Sequence, residues 1–229
     1  MASVVVLDMD DTLFLERDYV LSGFAAVDAV VAKEHGLKGF AECAWHLFCA
    51  GVRGRIFNEA LKEMGVELQS VSVAQLVAVY RSHLPRIKLT CDSFRFLNAA
   101  RRQRLRIALV SDGAYVAQMA KVRALRLKTF ISPIVLTDAF GRDAWKPSSR
   151  GYLEVFERLG GSHSNYIYIG DNPNKDFIAP NALGWRTIRI RRPQGEHALA
   201  SASREDGAPQ REIVSFDELR VDPLKGDVV

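Results

Sequence analysis

The sequence predicts an α/β fold, in which a parallel sheet lies between layers of helices. Short apolar runs of strand length, such as residues 4–7 and 166–169, alternate with longer segments of helical periodicity. These runs do not alternate with polar residues, as is typical of strands covered on both faces. Polar groups follow directly after several of the runs, where parallel sheets bind their ligands. Together the three observations predict a three-layer, Rossmann-like core.

The first run, residues 4–7, consists of three valines and a leucine, which favours a strand inside the sheet. The next stretch, residues 16–87, contains no strand-like run. Helical periodicity recurs in it as four segments punctuated by glycines: residues 17–35, 39–49, 55–64 and 73–84. This stretch is therefore predicted to be a small all-α domain.

Strands and helices alternate again from about residue 88, which predicts parallel strands joined by helices. The further strands are expected at residues 107–110, 134–136 and 166–169, and another is expected to carry the arginines of residues 186–192. The helices are expected at residues 93–102, 115–125, 149–159 and 176–183. Residues 194–212 favour a loop or weak helix, and residues 213–214 a last short strand. The predicted organisation is a core of residues 1–15 and 88–229 interrupted by a helical domain of residues 16–87.

Three carboxylates and a threonine follow the first predicted strand: Asp8, Asp10, Asp11 and Thr12. Negative charges this close repel one another, and burying even one of them is costly. A divalent cation among them would offset both costs, and hard oxygen ligands favour Mg²⁺. Taken alone, the same residues are equally compatible with a turn or a helix cap.

Further polar groups follow the other predicted strands. Ser111 comes after the strand at 107–110, Lys146 follows the strand at 134–136 beyond a polar loop, and Asp171 and Asp176 follow the strand at 166–169. Singly, these residues are compatible with a helix cap, a surface lysine and turn positions. Because the carboxyl ends of parallel strands share one edge of a sheet, we expect them to form one site.

The run Asp8-Met9-Asp10-Asp11-Thr12, together with Ser111, Lys146 and Gly170-Asp171 with Asp176, resembles the four ordered motifs of the haloacid dehalogenase superfamily. The resemblance covers the whole catalytic core. The helical stretch of residues 16–87 resembles the cap domain that many members carry between the first two motifs. The resemblance implies a hydrolase with a Rossmann-like core and a helical cap.

The resemblance also implies catalytic roles. Asp8 would be the nucleophile that forms an aspartyl-phosphate, and Asp10 would be the general acid and then the general base. On an extended backbone residues i and i+2 share one face, so Asp8 and Asp10 can face one substrate. Displacing a halide needs no proton donor, and the dehalogenase members lack this second aspartate. Asp10 therefore favours phosphate chemistry.

In the family pattern Mg²⁺ is bound by the Asp8 carboxylate, the Asp10 backbone carbonyl and Asp171. Asp176 would act from outside the metal's own ligands, by orienting Lys146 or a ligand of the metal. Thr12 is expected to shape the loop rather than to touch substrate.

The resemblance assigns the phosphate-binding groups as well. Ser111 would donate a hydrogen bond to a phosphoryl oxygen, supported by backbone N–H groups around Asp112 and Gly113. Lys146 would neutralise the charge of the nucleophile and of the phosphoryl group.

The sequence therefore predicts a Mg²⁺-dependent phosphatase that acts on a small anionic phosphomonoester, a sugar phosphate or a nucleotide. A phosphomutase of the same superfamily is a close alternative. A phospho-accepting signalling or binding module is another, although such receiver domains lack a large insertion after the first strand. Arg53 and Arg55 are candidates for substrate specificity, but a solvated turn between helices explains them slightly better.

Composition narrows the function classes. The net charge is +4, from 31 basic and 27 acidic residues. Arginines cluster at residues 101–106 and 186–192, but without interleaved aromatics they favour solvated strand ends over nucleic-acid binding. No apolar run approaches the ~20 residues that cross a bilayer. The beginning of the sequence lacks signal-peptide character, which predicts a cytoplasmic protein. The oligomeric state stays open.

The three cysteines are too few for a disulfide framework, which agrees with a reducing compartment. Cys43, His46 and Cys49 are spaced as on one helix face and offer three zinc ligands. A fourth ligand is missing nearby, so buried helix positions are the preferred explanation for them.

Overall fold

A computed structural model describes residues 3–67, 70–222 and 227–228 of the chain. The chain divides into two compact units. The core unit comprises Met1–Glu16 and Lys88–Val229, and the helical unit comprises Arg17–Ile87.

A six-stranded sheet forms the centre of the core unit. Its strands are β1 (Val4–Leu7), β2 (Arg106–Ser111), β3 (Ile134–Leu136), β4 (Tyr166–Gly170), β5 (Arg186–Ile190) and β6 (Arg211–Ile213). The spatial order is β3-β2-β1-β4-β5-β6, and every neighbouring pair is parallel. The predicted α/β fold with a parallel, Rossmann-like sheet is confirmed.

Strand β1 lies between β2 and β4, which explains why its sequence is purely apolar. All four of its residues are fully buried. Leu7 lies opposite Leu109 of β2 and Ile169 of β4, so the three strands end at nearly the same level. The next backbone N–H, that of Asp8, donates to the Ile169 carbonyl at 2.8 Å and extends this alignment into the loop.

Within residues 3–67, 70–222 and 227–228, eight α-helices accompany the sheet. In chain order they are α1 (Glu16–His35), α2 (Phe40–Cys49), α3 (Ile56–Glu63), α4 (Val73–Ser82), α5 (Cys91–Arg102), α6 (Tyr115–Ala124), α7 (Arg150–Leu159) and α8 (Ile178–Ala182). One face of the sheet is covered by an aromatic cluster, in which Tyr152 of α7 packs against Tyr168 and Trp185. No helix in the described part of the chain is both long and apolar enough to cross a membrane.

The helical unit has its own apolar core, built from α2, α3, α4 and most of α1. Phe24, Phe40 and Phe57 pack edge-on or tilted at ring distances of 5.7–6.0 Å. The sequence placed the Cys43, His46 and Cys49 positions in the interior, and this was wrong for two of them. His46 and Cys49 are exposed on α2, whereas Cys43 is partly buried. The apolar face of this short helix is used by Phe40, Ala44 and Leu47 instead.

The predicted element bounds differ from the structure mainly near the C-terminus. Helix α8 begins at Ile178, because residues 172–176 form a turn that brings Asp176 back to the sheet edge. Strand β6 forms at residues 211–213 rather than 213–214. An antiparallel pair of two-residue strands, β7 (Val221–Asp222) and β8 (Asp227–Val228), was not predicted.

The prediction that the arginines of residues 186–192 are solvated was wrong for two of them. Arg189 and Arg192 are only 2% and 7% exposed. Their guanidinium groups are satisfied by internal acceptors: Arg189 donates to the Asp171 carbonyl and to Glu212. Burial of these charges is possible because each one is paired and hydrogen-bonded.

Candidate active site

The carboxyl ends of β1, β2 and β4 bring polar residues to one cavity of about 130 Å³. Asp8 follows β1, Asp112 follows β2 and Asp171 follows β4. The cavity is lined by Asp8, Asp10, Glu16, Asp112, Gly113, Trp145, Asp171, Asn172, Lys175 and His197. The sheet edge thus collects residues that lie far apart in the sequence, as the fold requires of a ligand site.

Lys146 lies between two buried carboxylates, those of Asp8 and Asp176. Its Nζ lies 2.6 Å from Asp8 Oδ1 and 2.8 Å from Asp176 Oδ1, and all three side chains are buried. It also donates to the hydroxyl of Tyr168 at 3.1 Å. Burial alone would lower the pKa of Lys146, but Asp176 and Asp8 hold it well above its usual value. Lys146 is therefore a fixed positive charge beside Asp8.

Three carboxylates meet near this lysine. One oxygen from each of Asp8, Asp171 and Asp176 lies within 4.8 Å of the others. Burial, aided by repulsion from Asp176, raises the pKa of Asp8 to about 7 even though Lys146 opposes the shift. Burial, aided by repulsion from Asp176 and Asp8, raises the pKa of Asp171 well above its usual range. A compact set of buried oxygen donors whose negative charges are mutually unfavourable fits a hard divalent cation.

Asp176 is held differently from the other two carboxylates. Its Oδ2 accepts the backbone N–H groups of Asp171 at 3.1 Å and Asn172 at 2.9 Å. Lys146 and Lys175 outweigh the effect of burial and lower the pKa of Asp176. A Cβ at Gly170 would lie 2.6 Å from Asp176 Oδ2, so this close approach requires glycine. Asp176 fixes the loop that carries Asp171.

The segment Ser111–Gly113 forms a second wall of the site. The Asp112 carboxylate accepts hydrogen bonds from Thr137 Oγ1 at 2.8 Å, the Lys146 backbone N–H at 3.1 Å and Lys175 Nζ at 3.1 Å. Because that side chain braces the loop internally, only its backbone is available to an anion. Gly113 has a φ of 121°, which favours glycine at the turn.

Asp10 is held by two residues that sequence reasoning did not identify. Lys121 Nζ lies 2.6 Å from Asp10 Oδ1, and Gln118 Nε2 lies 2.8 Å from Asp10 Oδ2. Gln118 Nε2 also donates to Ser111 Oγ at 2.7 Å. Gln118 and Lys121 are three residues apart on the buried face of α6, but the sequence alone does not indicate that these polar side chains face inward.

The loop after Asp10 is fixed from distant parts of the chain. Asp11 has a φ of 48°, and its carboxylate accepts the backbone N–H groups of Glu16 at 2.9 Å and Glu196 at 2.7 Å. The carbonyl of Thr12 accepts a hydrogen bond from Arg192 NH2 at 2.8 Å. These contacts explain how a non-glycine residue is stabilised in a left-handed conformation.

Arg192 is anchored in turn by Asp92, whose Oδ2 lies 2.7 Å from Arg192 NH1. The same oxygen accepts the backbone N–H of Phe216 at 2.8 Å. Burial alone would raise the pKa of Asp92, but hydrogen bonds from Thr90, Arg192 and the Phe216 backbone hold it well below its usual range. The loop that follows β1 is therefore supported by a buried ion pair.

Glu16, Lys175 and His197 also line the cavity and were not predicted. Burial and the nearby Asp10 raise the pKa of Glu16 to about 7. The ring of His197 is held by Asn172 at 2.9 Å, and burial lowers its pKa. Glu16 and His197 lie outside the recognised motifs, and Lys175 lies between the motif residues Asp171 and Asp176. The motif pattern therefore did not indicate any of the three.

The arginine candidates Arg53 and Arg55 belong to the helical unit. Arg53 NH1 donates to the carbonyls of Phe48 at 2.7 Å and Val52 at 2.8 Å, and its guanidinium lies over the Phe48 ring. Arg55 is exposed and precedes α3. Arg53 thus stabilises the turn in which it lies.

Sequence relatives of the chain include named phosphatases. It is 28% identical over 166 residues to glyceraldehyde 3-phosphate phosphatase of Methanopyrus kandleri, covering 72% of this chain and 70% of that one. It is 27% identical over 172 residues to phosphoserine phosphatase of Thermus thermophilus, covering 74% and 66%. It is 24% identical over 220 residues to ribulose-1,5-bisphosphate 5-phosphatase of Halopiger xanaduensis, covering 89% and 91%.

Solved structures share the fold along nearly the whole chain. The magnesium-bound putative hydrolase YfnB from Bacillus subtilis superposes with a TM-score of 0.66 at 20% identity, covering 95% of this chain and 96% of that one. A putative β-phosphoglucomutase from Thermotoga maritima gives a TM-score of 0.65 at 18% identity, covering 94% and 95%. The sequence model of the haloacid dehalogenase-like hydrolase family matches residues 2–184 of this chain. The chain belongs to the haloacid dehalogenase-like hydrolase family.

Proposed function

We propose that this protein is a Mg²⁺-dependent phosphatase that hydrolyses a small phosphomonoester through an aspartyl-phosphate on Asp8. The observation that carries the proposal is that Lys146 contacts Asp8 and Asp176, while Asp8 and Asp171 line one cavity together with Asp10. The family membership and the named phosphatase relatives support it.

Each residue has a role that its geometry supports. Asp8 attacks phosphorus, and Lys146 at 2.6 Å offsets charge on the nucleophile and the phosphoryl group. Ser111 Oγ accepts from Gln118, so its own proton is directed to another acceptor, which we assign as a phosphoryl oxygen. Asp8, the Asp10 carbonyl and Asp171 would hold Mg²⁺, which would supply positive charge to offset the negative charge of the phosphoryl oxygens. Asp176 and Thr12 keep the surrounding loops in place.

Asp10 carries the proton in both half-reactions. As the acid, it protonates the leaving oxygen while the bond from Asp8 to phosphorus forms. As the base, it then takes a proton from the water that attacks the same phosphorus and releases Asp8. The named relatives are phosphatases, so water rather than a second hydroxyl is proposed as the final acceptor.

The substrate is proposed to be a small phosphorylated metabolite, and the relatives direct the choice among candidates. Their names specify a triose phosphate, an amino-acid phosphate and a sugar bisphosphate. We propose that the helical unit acts as a cap that selects the substrate. Arg55 is the better specificity candidate there, because Arg53 already donates to two carbonyls of its own turn. A cytoplasmic location is consistent with such a substrate.

Phosphate release from a panel of phosphomonoesters, measured with Mg²⁺ and with a chelator, tests the proposal. The panel should contain sugar phosphates, nucleotides, phosphoserine and triose phosphates. We expect turnover of at least one compound with Mg²⁺ and its loss on chelation, with recovery when Mg²⁺ is restored. A folded protein that releases phosphate equally well in chelator would contradict the metal-dependent mechanism.

A further inference from the structure

The inner face of α6 carries two buried polar side chains that end at one carboxylate. Gln118 and Lys121 are 2% and 4% exposed. Lys121 Nζ is 2.6 Å from Asp10 Oδ1, and Gln118 Nε2 is 2.8 Å from Asp10 Oδ2. Burying an ammonium and an amide is costly unless each has a partner, and Asp10 is a partner of both.

Two donors, one for each oxygen, fix the orientation of the Asp10 carboxylate. A single hydrogen bond would leave the group able to rotate about its last side-chain bond, where the torsional preference is broad. Each carboxylate oxygen still has a second lone pair that can carry or accept a proton. The arrangement therefore restrains the plane of the carboxylate and leaves a lone pair on each oxygen for proton transfer.

Gln118 does more than hold Asp10. Its Nε2 donates one amide hydrogen to Asp10 Oδ2 at 2.8 Å and the other to Ser111 Oγ at 2.7 Å. The Asp10 carboxylate and the Ser111 hydroxyl are thereby tied to one nitrogen. In the proposed function these groups bind the leaving oxygen and a phosphoryl oxygen of the same substrate, so their separation matters.

We propose that Gln118 and Lys121 are positioning residues that aim the Asp10 carboxylate at the leaving oxygen of the substrate. The inference rests on the proposed phosphatase function and adds to it two residues outside the recognised motifs. Both side chains end on Asp10, and Gln118 also ends on Ser111, so they act through these two groups rather than on substrate. Proton transfer requires hydrogen-bond reach, so a misdirected carboxylate loses most of its effect.

The test compares two phosphate esters that differ in their need for a proton. The alkoxide leaving group of an alkyl phosphate, such as glycerol phosphate or the best alkyl ester found for the protein, must be protonated. The phenolate of p-nitrophenyl phosphate leaves readily without it. The constant to compare is kcat/KM, because it covers the steps up to formation of the aspartyl-phosphate and excludes its later hydrolysis.

The informative variant is Lys121→Met, which keeps the apolar stem and removes the ammonium. We expect kcat/KM for the alkyl ester to fall about 100-fold and that for p-nitrophenyl phosphate to fall less than about 10-fold. Asp10→Asn should show the same bias, and adding Lys121→Met to it should cause little further loss, because the two residues act as one unit. Arg123→Met, which removes an exposed cation from the same helix, is the matched control and should leave both substrates unaffected.

Gln118→Leu is a second, independent variant, and it carries the test if Lys121→Met does not fold. It should show the same bias between the two esters and, because Ser111 also loses a partner, a higher KM for both. Equal losses for the two esters, or a full additional loss in the double variant, would overturn the inference while the wild type remains an active phosphatase. A wild-type protein inactive on both esters and on the metabolite panel would instead overturn the proposed function, and this inference with it.

Discussion

Two buried clusters of the core unit bring a basic side chain against carboxylates, but only one of them balances its charges. Lys146 contacts both Asp8 and Asp176, and Asp171 lies beside them. Arg192 contacts Asp92 alone, and its other donors reach neutral oxygens of Thr12 and Ser93. We call them the Lys146 cluster and the Arg192 cluster.

The imbalance is visible in the ionisation of the carboxylates. In the Lys146 cluster burial raises the pKa of Asp8 to about 7, whereas hydrogen bonds in the Arg192 cluster outweigh burial and lower the pKa of Asp92. A cluster that disfavours its own charges is suited to bind a cation and a reacting group. A cluster whose charges are satisfied is suited to hold the fold together. The comparison predicts that substitutions in the two clusters affect different properties.

The largest expected effect is the loss of activity in Asp8→Asn. Removing the nucleophile should lower kcat by at least about 10⁴-fold, by analogy with nucleophiles of other covalent enzymes. The neutral amide also relieves repulsion within the Lys146 cluster, while Lys146 keeps Asp176 as a partner. The denaturation midpoint at pH 8 in chelator should therefore stay equal to or rise above that of the wild type. A variant that loses activity because it unfolds would remove the distinction between the clusters.

The Arg192→Met variant should show the opposite pattern. It leaves the buried Asp92 carboxylate without its cation, and breaking a buried pair in this way costs about 3–5 kcal/mol of unfolding free energy. Denaturant unfolding of the variant and the wild type measures the difference directly. The double variant Arg192→Met with Asp92→Asn should recover part of the loss, because no unpaired charge remains. No recovery would mean that the guanidinium contacts to Thr12, rather than the ion pair, dominate.

The stability contributions of the two clusters should change with pH in opposite directions. The folded-state pKa of Asp92 lies below its ordinary value of 3.8, so its contribution is present above that pH and is lost as the pH falls. The folded-state pKa of Asp8 lies above 3.8, at about 7, so its contribution is present at low pH and is lost as the pH rises through 7.

Denaturation curves from pH 3 to pH 8 in chelator test this contrast. The destabilisation caused by Asp92→Asn should grow as the pH rises from 3 to 5 and then stay constant. Any stabilisation by Asp8→Asn should grow as the pH rises from about 4 to about 7 and then stay constant. Curves for both variants that run parallel to the wild type across the whole range would show that neither carboxylate is coupled to folding as inferred.

The two clusters also differ in how far the sequence predicts them. The Lys146 cluster is predictable from apolar runs such as residues 4–7, because parallel strands bring the residues after their carboxyl ends to one edge of the sheet. Asp8 does meet Lys146 there. The Arg192 cluster has no such rule behind it. Arginine near a strand end is ordinarily solvated, and only the tertiary placement of Asp92 on α5 makes its burial favourable.

The same reason explains why the sequence did not indicate Gln118 and Lys121 as site residues. Their spacing on α6 agrees with an inward face, but polar side chains at such positions are usually assigned to the surface. Their burial depends on Asp10, which is more than 100 residues away in the sequence. Apolar patterning therefore predicts the sheet and the groups at its edge, whereas polar contacts between distant segments require the folded structure. The catalytic roles assigned to the edge residues stay predictions.

The smallest expected effect provides the baseline for the comparison. Arg158 on α7 lies 2.6 Å from Glu154, one helical turn earlier, and about half of its side chain is exposed. Water screens this pair and both side chains lose freedom to form it, so Arg158→Ala should change the unfolding free energy by less than about 0.5 kcal/mol. The distances in this pair and in the Arg192–Asp92 pair are nearly equal, at 2.6 and 2.7 Å. If urea denaturation gives similar losses for Arg158→Ala and Arg192→Met, burial is not what distinguishes them. The contrast drawn for the Arg192 cluster would then be wrong.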